Sequence, residues 1–327
     1  MNSTTALVAF AFFSALAPVA WAQDALVDDT GQALNPNSPL ASLTANQANA
    51  DQANADQGDA DQAHADKSAD EIARDLANPN SPLASLTGKL QYRTFGGDIP
   101  GANTQDSMTF LFQPVFPFGL GETSSGADQT LFVRPAIPYF FDQPSLNANT
   151  GKFEDVNGMG DIVADFAYGQ TGKDGFLWAI GGVTTLPTAT DSRLGSGLWS
   201  LGPELLIGKF EKWGVYGIFP SHQWNVAGWG DNDVNVTSIQ TFLAVLPGDG
   251  WSISSQPIMN YDWHAEQWTV PVNLTVSKTL KVGKTPLKVA LEANYYVEQA
   301  DAFGPEWMIG LNITPVVENF VQNWFRK

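Results

Sequence analysis

The sequence predicts an all-β protein: an antiparallel transmembrane β-barrel of about 12 strands with a disordered or marginally helical N-terminal extension. Three observations predict it, namely two-residue alternation, a rhythm of short and long connections, and aromatic residues placed at strand ends. The alternation is clearest near the C-terminus. Leu287, Val289, Leu291, Ala293, Tyr295 and Val297 share one face, while Lys288, Ala290, Glu292, Asn294, Tyr296 and Glu298 share the other. Trp268, Val270, Val272, Leu274 and Val276 repeat the pattern, as do Trp307, Ile309, Leu311 and Ile313. Successive side chains of a strand point to opposite sides of the sheet, so a period of 2 means one apolar and one polar face.

Residues 1–22 read as an export signal. The apolar stretch 6–20 is too short to cross a bilayer as a helix, and Ala20-Trp21-Ala22 supplies a small-x-small cleavage pattern. No other run approaches 18 apolar residues, so an exported chain of this kind is soluble, peripheral or a barrel.

Residues 23–88 read as an acidic, low-complexity periplasmic spacer. Positions 48–67 are four degenerate pentads, ANADQ, ANADQ, GDADQ and AHADK, without a large apolar side chain. They cannot bury a core, and a five-residue period spreads alanine around a helix rather than along a seam. A perfect decapeptide, NPNSPLASLT, occurs at 35–44 and again at 78–87. The spacer holds 11 acidic and 2 basic residues, half of the formal charge of −18. Within it, Ile72 and Leu76 would share one helical face, which allows a small plug at 69–77.

Residues 89–317 carry the barrel and 318–327 a short tail. Twelve candidate strands lie near 89–96, 107–118, 129–141, 159–169, 175–186, 198–209, 213–224, 233–246, 250–261, 267–280, 286–298 and 304–315. Each is long enough to cross an outer membrane, which takes about 9 to 11 tilted residues. Connections after the fourth, sixth, eighth and tenth strands are tight, and those after the first, third, fifth and seventh are longer. This is the expectation for a barrel with both termini in the periplasm. The connections after the ninth and eleventh strands are short for that rhythm, and the one after the second is long. Trp178, Trp199, Trp213, Trp224, Trp251, Trp268 and Trp307 fall near strand ends, where interfacial girdles require them. Pro114, Pro135, Pro203, Pro257 and Pro271 fit no continuous ladder, because proline forfeits a hydrogen bond.

Alternation assigns an interior set: Arg93, Gln113, Arg134, Asp161, Asp165, Glu204, Asn260, Asn273, Lys288, Glu292, Asn294 and Glu306, together with Gln91 and Asn312. The set holds more acid than base, so any pore is expected to favour cations. Asp161 and Asp165 share one strand face, open to a role in selectivity or to pairing with Arg93, Arg134 or Lys288.

Composition excludes several other chemistries. Without cysteine there is no disulfide framework or thiolate metal site, and three histidines make zinc unexpected. Sixteen basic against 34 acidic residues argue against nucleic acid. Some twelve-stranded barrels are phospholipases, but the adjacent Ser221 and His222 point to opposite faces of a strand and cannot bond as nucleophile and base. No enzyme activity and no cofactor are expected.

The stretches PLASLTGKLQYRTFGGDIPGA, LFQPVFPFGL, VRPAIPYFFDQP, GMGDIVADFAYG, TTLPTATDSRLGSG, LGPELLIGKFEKWGVYG, SHQWNVAG and YYVEQADAFGPEWMIGLNITPVV resemble a family of bacterial outer-membrane proteins labelled as transporters or as related to the MetA pathway of phenol degradation. The resemblance spans residues 78–317. It implies an outer-membrane barrel of a Gram-negative bacterium, with membrane lipid, an unidentified small solute and the barrel-assembly machinery as partners. The leading expectation is a passive channel or transporter. A filled structural or ligand-binding barrel is the second, and a soluble exported β-sandwich the third.

Overall fold

The computed structural model describes residues 67–317 and 319, apart from 82, 232 and 284. The export signal, the first decapeptide, the pentads up to residue 66 and nearly all of the tail lie outside the described residues. A short helix, α1 (Ala69–Asp75), precedes the strands β1 (Ala84–Gly96), β2 (Asp106–Glu122), β3 (Asp128–Asn147), β4 (Lys152–Met159), β5 (Ile162–Thr171), β6 (Phe176–Leu186) and β7 (Leu198–Glu211). There follow β8 (Gly214–Gly228), β9 (Asn235–Gly248), β10 (Trp251–Ser255), β11 (Ile258–Asp262), β12 (Gln267–Val282), β13 (Thr285–Glu298) and β14 (Gly304–Val317).

These fourteen segments make twelve staves. β10 and β11 are one stave broken at Gln256–Pro257, since both pair with β9 and with β12. β4 and β5 both pair with β3, and the break between them falls at Gly160–Asp161. Every pairing is antiparallel, and β1 with β14 closes the ring. Closure leaves no free edge, so the soluble two-sheet sandwich is set aside.

Strand bounds agree with alternation and correct it at the ends. β1 starts at Ala84 rather than at 89, because the second decapeptide already pairs: Ser85 lies opposite Val115 and Val316. β2 and β3 run further than expected, which shortens their connection to 123–127, closed by Thr123 N–H to Ala127 O at 2.8 Å. The connections 263–266 and 299–303 stay short, as the sequence indicates.

The prolines have a place in this ladder. Between β2 and β3, register is kept at Phe112 with Ile137 and at Phe116 with Val133, and the unpaired stretch between holds Pro114 and Pro135. Pro203 sits in the β7–β8 gap between the Leu201 and Glu204 pairings, Pro257 at the broken stave, and Pro271 at the β12–β13 register shift. Each occupies a point where a missing N–H interrupts nothing.

The outer wall is apolar. Leu90, Tyr92, Ile180, Ile207, Leu243, Val272, Leu274, Leu291 and Ile309 are all exposed there. Trp199, Trp224, Trp268, Tyr295 and Trp307 ring the end with longer connections, and Trp213, Tyr216 and Trp251 mark the tight-turn end.

Residues 67–83, read from sequence as spacer, lie across the tight-turn end. Ser68 caps α1 in a capping box with Glu71, giving even this short helix two satisfied N-terminal donors. Ile72 and Leu76, each 1% exposed, pack with Leu83 and Val316, as their shared face predicts. The Asp70 carboxylate accepts the Gly250 N–H at the β9–β10 turn. The Arg74 guanidinium donates to Lys212 O at the β7–β8 turn (3.3 Å) and lies 4.3 Å over the Phe210 ring. Asn80 Nδ2 then donates to Gln170 O (3.0 Å) and Trp178 O (3.2 Å). A Cβ on Gly169 would stand 2.2 Å from Asn80 Oδ1, so glycine is what admits this crossing.

Candidate functional site

The candidate site is the barrel interior. Its inward side chains fall into two regions, and the boundary lies part-way along β5 to β9. Toward the tight turns, Phe132, Leu177, Leu206, Phe210, Val215, Phe219 and Phe242 form an apolar cluster with Ala77 of the N-terminal segment. Sequence reasoning missed this region because both faces of these strands are apolar there, and alternation then carries no sign of inside or outside.

Elsewhere the interior is polar and hydrogen-bonded across strands. Asn273 and Asn294 stand directly opposite, and Asn273 Nδ2 donates to Asn294 Oδ1 at 2.8 Å. Glu292 is the hub of this wall. Its Oε2 accepts from Asn312 Nδ2 at 2.9 Å, and its Oε1 accepts from Asn294 and Asn273 at 3.3 and 3.4 Å. Ser238 Oγ donates to Asn260 Oδ1 at 2.7 Å. Arg93 donates to Gln91 Oε1 at 2.8 Å and to Thr109 Oγ1 at 3.4 Å. Arg134 and Asp165 are direct cross-strand partners, with Arg134 Nε to Asp165 Oδ2 at 2.7 Å and Nη2 on the same oxygen. Cross-strand neighbours on one face stand close enough for such pairs, so register alone creates them.

Of the twelve residues expected inside, Gln113, Arg134, Asp161, Asp165, Glu204, Asn260, Asn273, Lys288, Glu292 and Asn294 are buried, Arg93 is half-buried and Glu306 is exposed. Gln113, Glu204 and Lys288 lie on the same faces as the hydrogen-bonded residues above. Asp161, wholly buried, keeps the buried parity of Val163 and Asp165, and at the break between β4 and β5 it accepts from Ala189 N–H (3.0 Å), Ser196 N–H (2.7 Å) and Ser196 Oγ (3.1 Å). It staples the 187–197 connection. Glu306 is the one departure: it is exposed at the rim, at the register shift where β1 passes from Thr94 opposite Trp307 to Phe95 opposite Pro305. A bulge leaves its extra residue unpaired and ends the simple alternation.

Lys89 was overlooked, although it is wholly buried and shares parity with Gln91 and Arg93. Its position at the expected strand start concealed it. Among the described residues facing the polar interior, Lys89, Arg93, Arg134 and Lys288 stand against Asp161, Asp165, Glu204, Asp262 and Glu292. The larger acid excess lies at the rim. The connections 97–105, 187–197, 229–234, 263–266 and 299–303 carry Asp98, Asp191, Asp231, Asp233, Glu266 and Asp301 against Arg193.

Ser221 and His222 do point to opposite faces: Ser221 Oγ donates to Ser238 O inside (3.4 Å), while His222 Nδ1 meets Thr237 Oγ1 on the outer side (2.8 Å).

No protein-family model and no curated relative matches the chain. Among solved structures, the chain resembles the COG4313 outer membrane channel from Pseudomonas putida F1, with a TM-score of 0.50 and 16% identity over 72% of this chain and 96% of that one. The NanC porin superposes with a TM-score of 0.44 at 11% identity, covering 71% of this chain and 99% of the porin. The CymD monoaromatic hydrocarbon channel gives 0.35 at 8%, covering 76% and 91%. At such identity the first likeness supports the fold, a closed antiparallel barrel, and the family label suggested by the motifs goes no further than resemblance.

Proposed function

We propose that the protein is an outer-membrane channel or transporter for small molecules in a Gram-negative bacterium, with the tight turns and both termini on the periplasmic side. The observation that carries this reading is the combination of a closed barrel, an apolar outer belt and a polar, hydrogen-bonded interior. Exposed apolar area on this scale exceeds what a water-facing monomer tolerates, and closed barrels are one of two architectures that satisfy every backbone group in lipid. Polar faces turned inward then offer a path for solute. The acidic rim supports a preference for cations, mainly through focusing at the mouth. Twelve staves make a narrow bore, which suits small or elongated solutes.

The second reading is a filled barrel that binds ligands or partners. It is favoured by residues 67–83, which lie across one end of the bore. Single-channel recording of the chain from Gln23 onward, refolded into a planar bilayer under a salt gradient, tests both. Discrete steps with a cation-favouring reversal potential that weakens at high salt are the expected result. Anion preference would refute the rim argument, and insertion without conductance would favour the filled barrel.

A further inference from the structure

The long-connection end carries a structure that simple permeation leaves without a role. Beyond Phe140, β3 no longer pairs with β2 and pairs only with β4, so residues 141–159 form a two-stranded arm whose Gln143, Ser145 and Val156 are buried at the mouth. The arm is jointed at its base. β3 shifts register between Phe140 and Gln143, and its return strand breaks between Met159 and Ile162.

The arm is held at the mouth from two sides. Phe153 packs on Phe303 with ring centroids 4.7 Å apart, and Phe303 stacks on Phe95 at 4.9 Å. Phe303 is fully buried, and it belongs to the 299–303 connection, which is bonded to the 97–105 connection through Asp98 N–H to Asp301 O at 2.8 Å. In the ring, β14 is separated from β3 by β2 and β1, three strand spacings or about 14 Å. Phe153 therefore reaches sideways along the rim, past the 97–105 connection, to the 299–303 connection. From the opposite flank, Thr190 Oγ1 accepts the Met159 N–H at 3.0 Å, Leu194 packs against Phe140 and Val156, and Arg193 stands 3.8 Å from Glu154.

A two-stranded ribbon by itself is marginal in water, so the position of the arm depends on these packed clasps rather than on its own ladder. We propose that the 141–159 arm is a gate, held closed by the Phe153–Phe303 contact and opened by a swing about its two joints. This rests on the channel reading, as the regulation of the same bore. A Cys-free chain makes access directly measurable.

Thr109 lies inside at the height of Phe140 and is 1% exposed. A Thr109→Cys reporter in the full chain, in liposomes, is treated with a small charged methanethiosulfonate, with and without Phe153→Ala. The gate predicts at least a tenfold faster modification when Phe153 is truncated, and an equal rate overturns it. The reading is of access, not current, so a protein that never conducts still gives an answer about the arm. Hydrogen exchange of the unmodified protein is the companion measurement. Arm amides should exchange at least tenfold faster than those of β5 and β6, and equal protection overturns the gate even if Phe153→Ala fails to fold.

Discussion

The Arg134–Asp165 pair allows the sharpest test of whether the interior is dry or wet where it is polar. Both side chains are nearly buried, at 7% and 6% exposure, so solvent screening is slight. Asp165→Ala would leave the Arg134 guanidinium without its cross-strand carboxylate, near the Phe132 ring whose centroid is 6.0 Å away. Breaking a buried pair by removing one partner costs about 3–5 kcal/mol, mostly the penalty of an uncompensated charge. The double replacement Arg134→Met with Asp165→Leu removes both charges at similar volume, and such swaps range from neutral to about 1–4 kcal/mol stabilising. Urea unfolding from lipid vesicles, followed by tryptophan fluorescence, should therefore place the single variant well below the parent and the double variant at or above it. A cost under about 1 kcal/mol for Asp165→Ala, the range of an exposed pair, would show that water reaches the guanidinium and that this section of the bore is open.

Three further outcomes are expected. Glu292→Ala removes the acceptor of three amide groups and should destabilise the β12–β14 wall by about 1–3 kcal/mol in the same urea assay, whereas Glu292→Gln should cost less. Ile72→Ala should leave barrel unfolding nearly unchanged but speed proteolysis within residues 67–83, because its 1%-exposed side chain anchors that segment and buried Ile→Ala changes cost about 2–5 kcal/mol. In the 187–197 connection, the Arg193 side chain bonds Asp191 at 2.8 and 2.9 Å and holds its carboxyl below the ordinary 3.8. A depressed folded value stabilises above the unfolded one and is lost as pH falls through the folded value. The contribution of Asp191 to exchange protection of this connection should therefore hold from neutral pH down to 3.8, while Asp161, whose carboxyl burial pushes up, titrates at higher pH; Asp191→Asn should then leave the higher-pH change in place, and its disappearance would refute the assignment.

Much of this was legible in the residues. A period of 2 and a rhythm of connections are local properties, and they determine strands, their approximate bounds and the closed barrel, since each amphipathic strand must turn one face to lipid and the other inward. They also placed Asn273, Glu292 and Asn294 on a common interior face, because parity survives along an unbroken strand. The sequence even marked Ile72 and Leu76 as one face of a helix. What it lacked was any term for where that face goes, which is decided by turns as distant as 172–175, 212–213 and 249–250. Parity fails at a discontinuity, and so Glu306 at a bulge left the interior. It is silent where both faces are apolar, which hid the Phe210–Phe219–Phe242 cluster. The prolines looked misplaced until the pairing of each strand with its neighbours showed the gaps that receive them. Register, bulges and the reach of Phe153 to Phe303 are relations between segments far apart in the chain, and only the tertiary structure decided them.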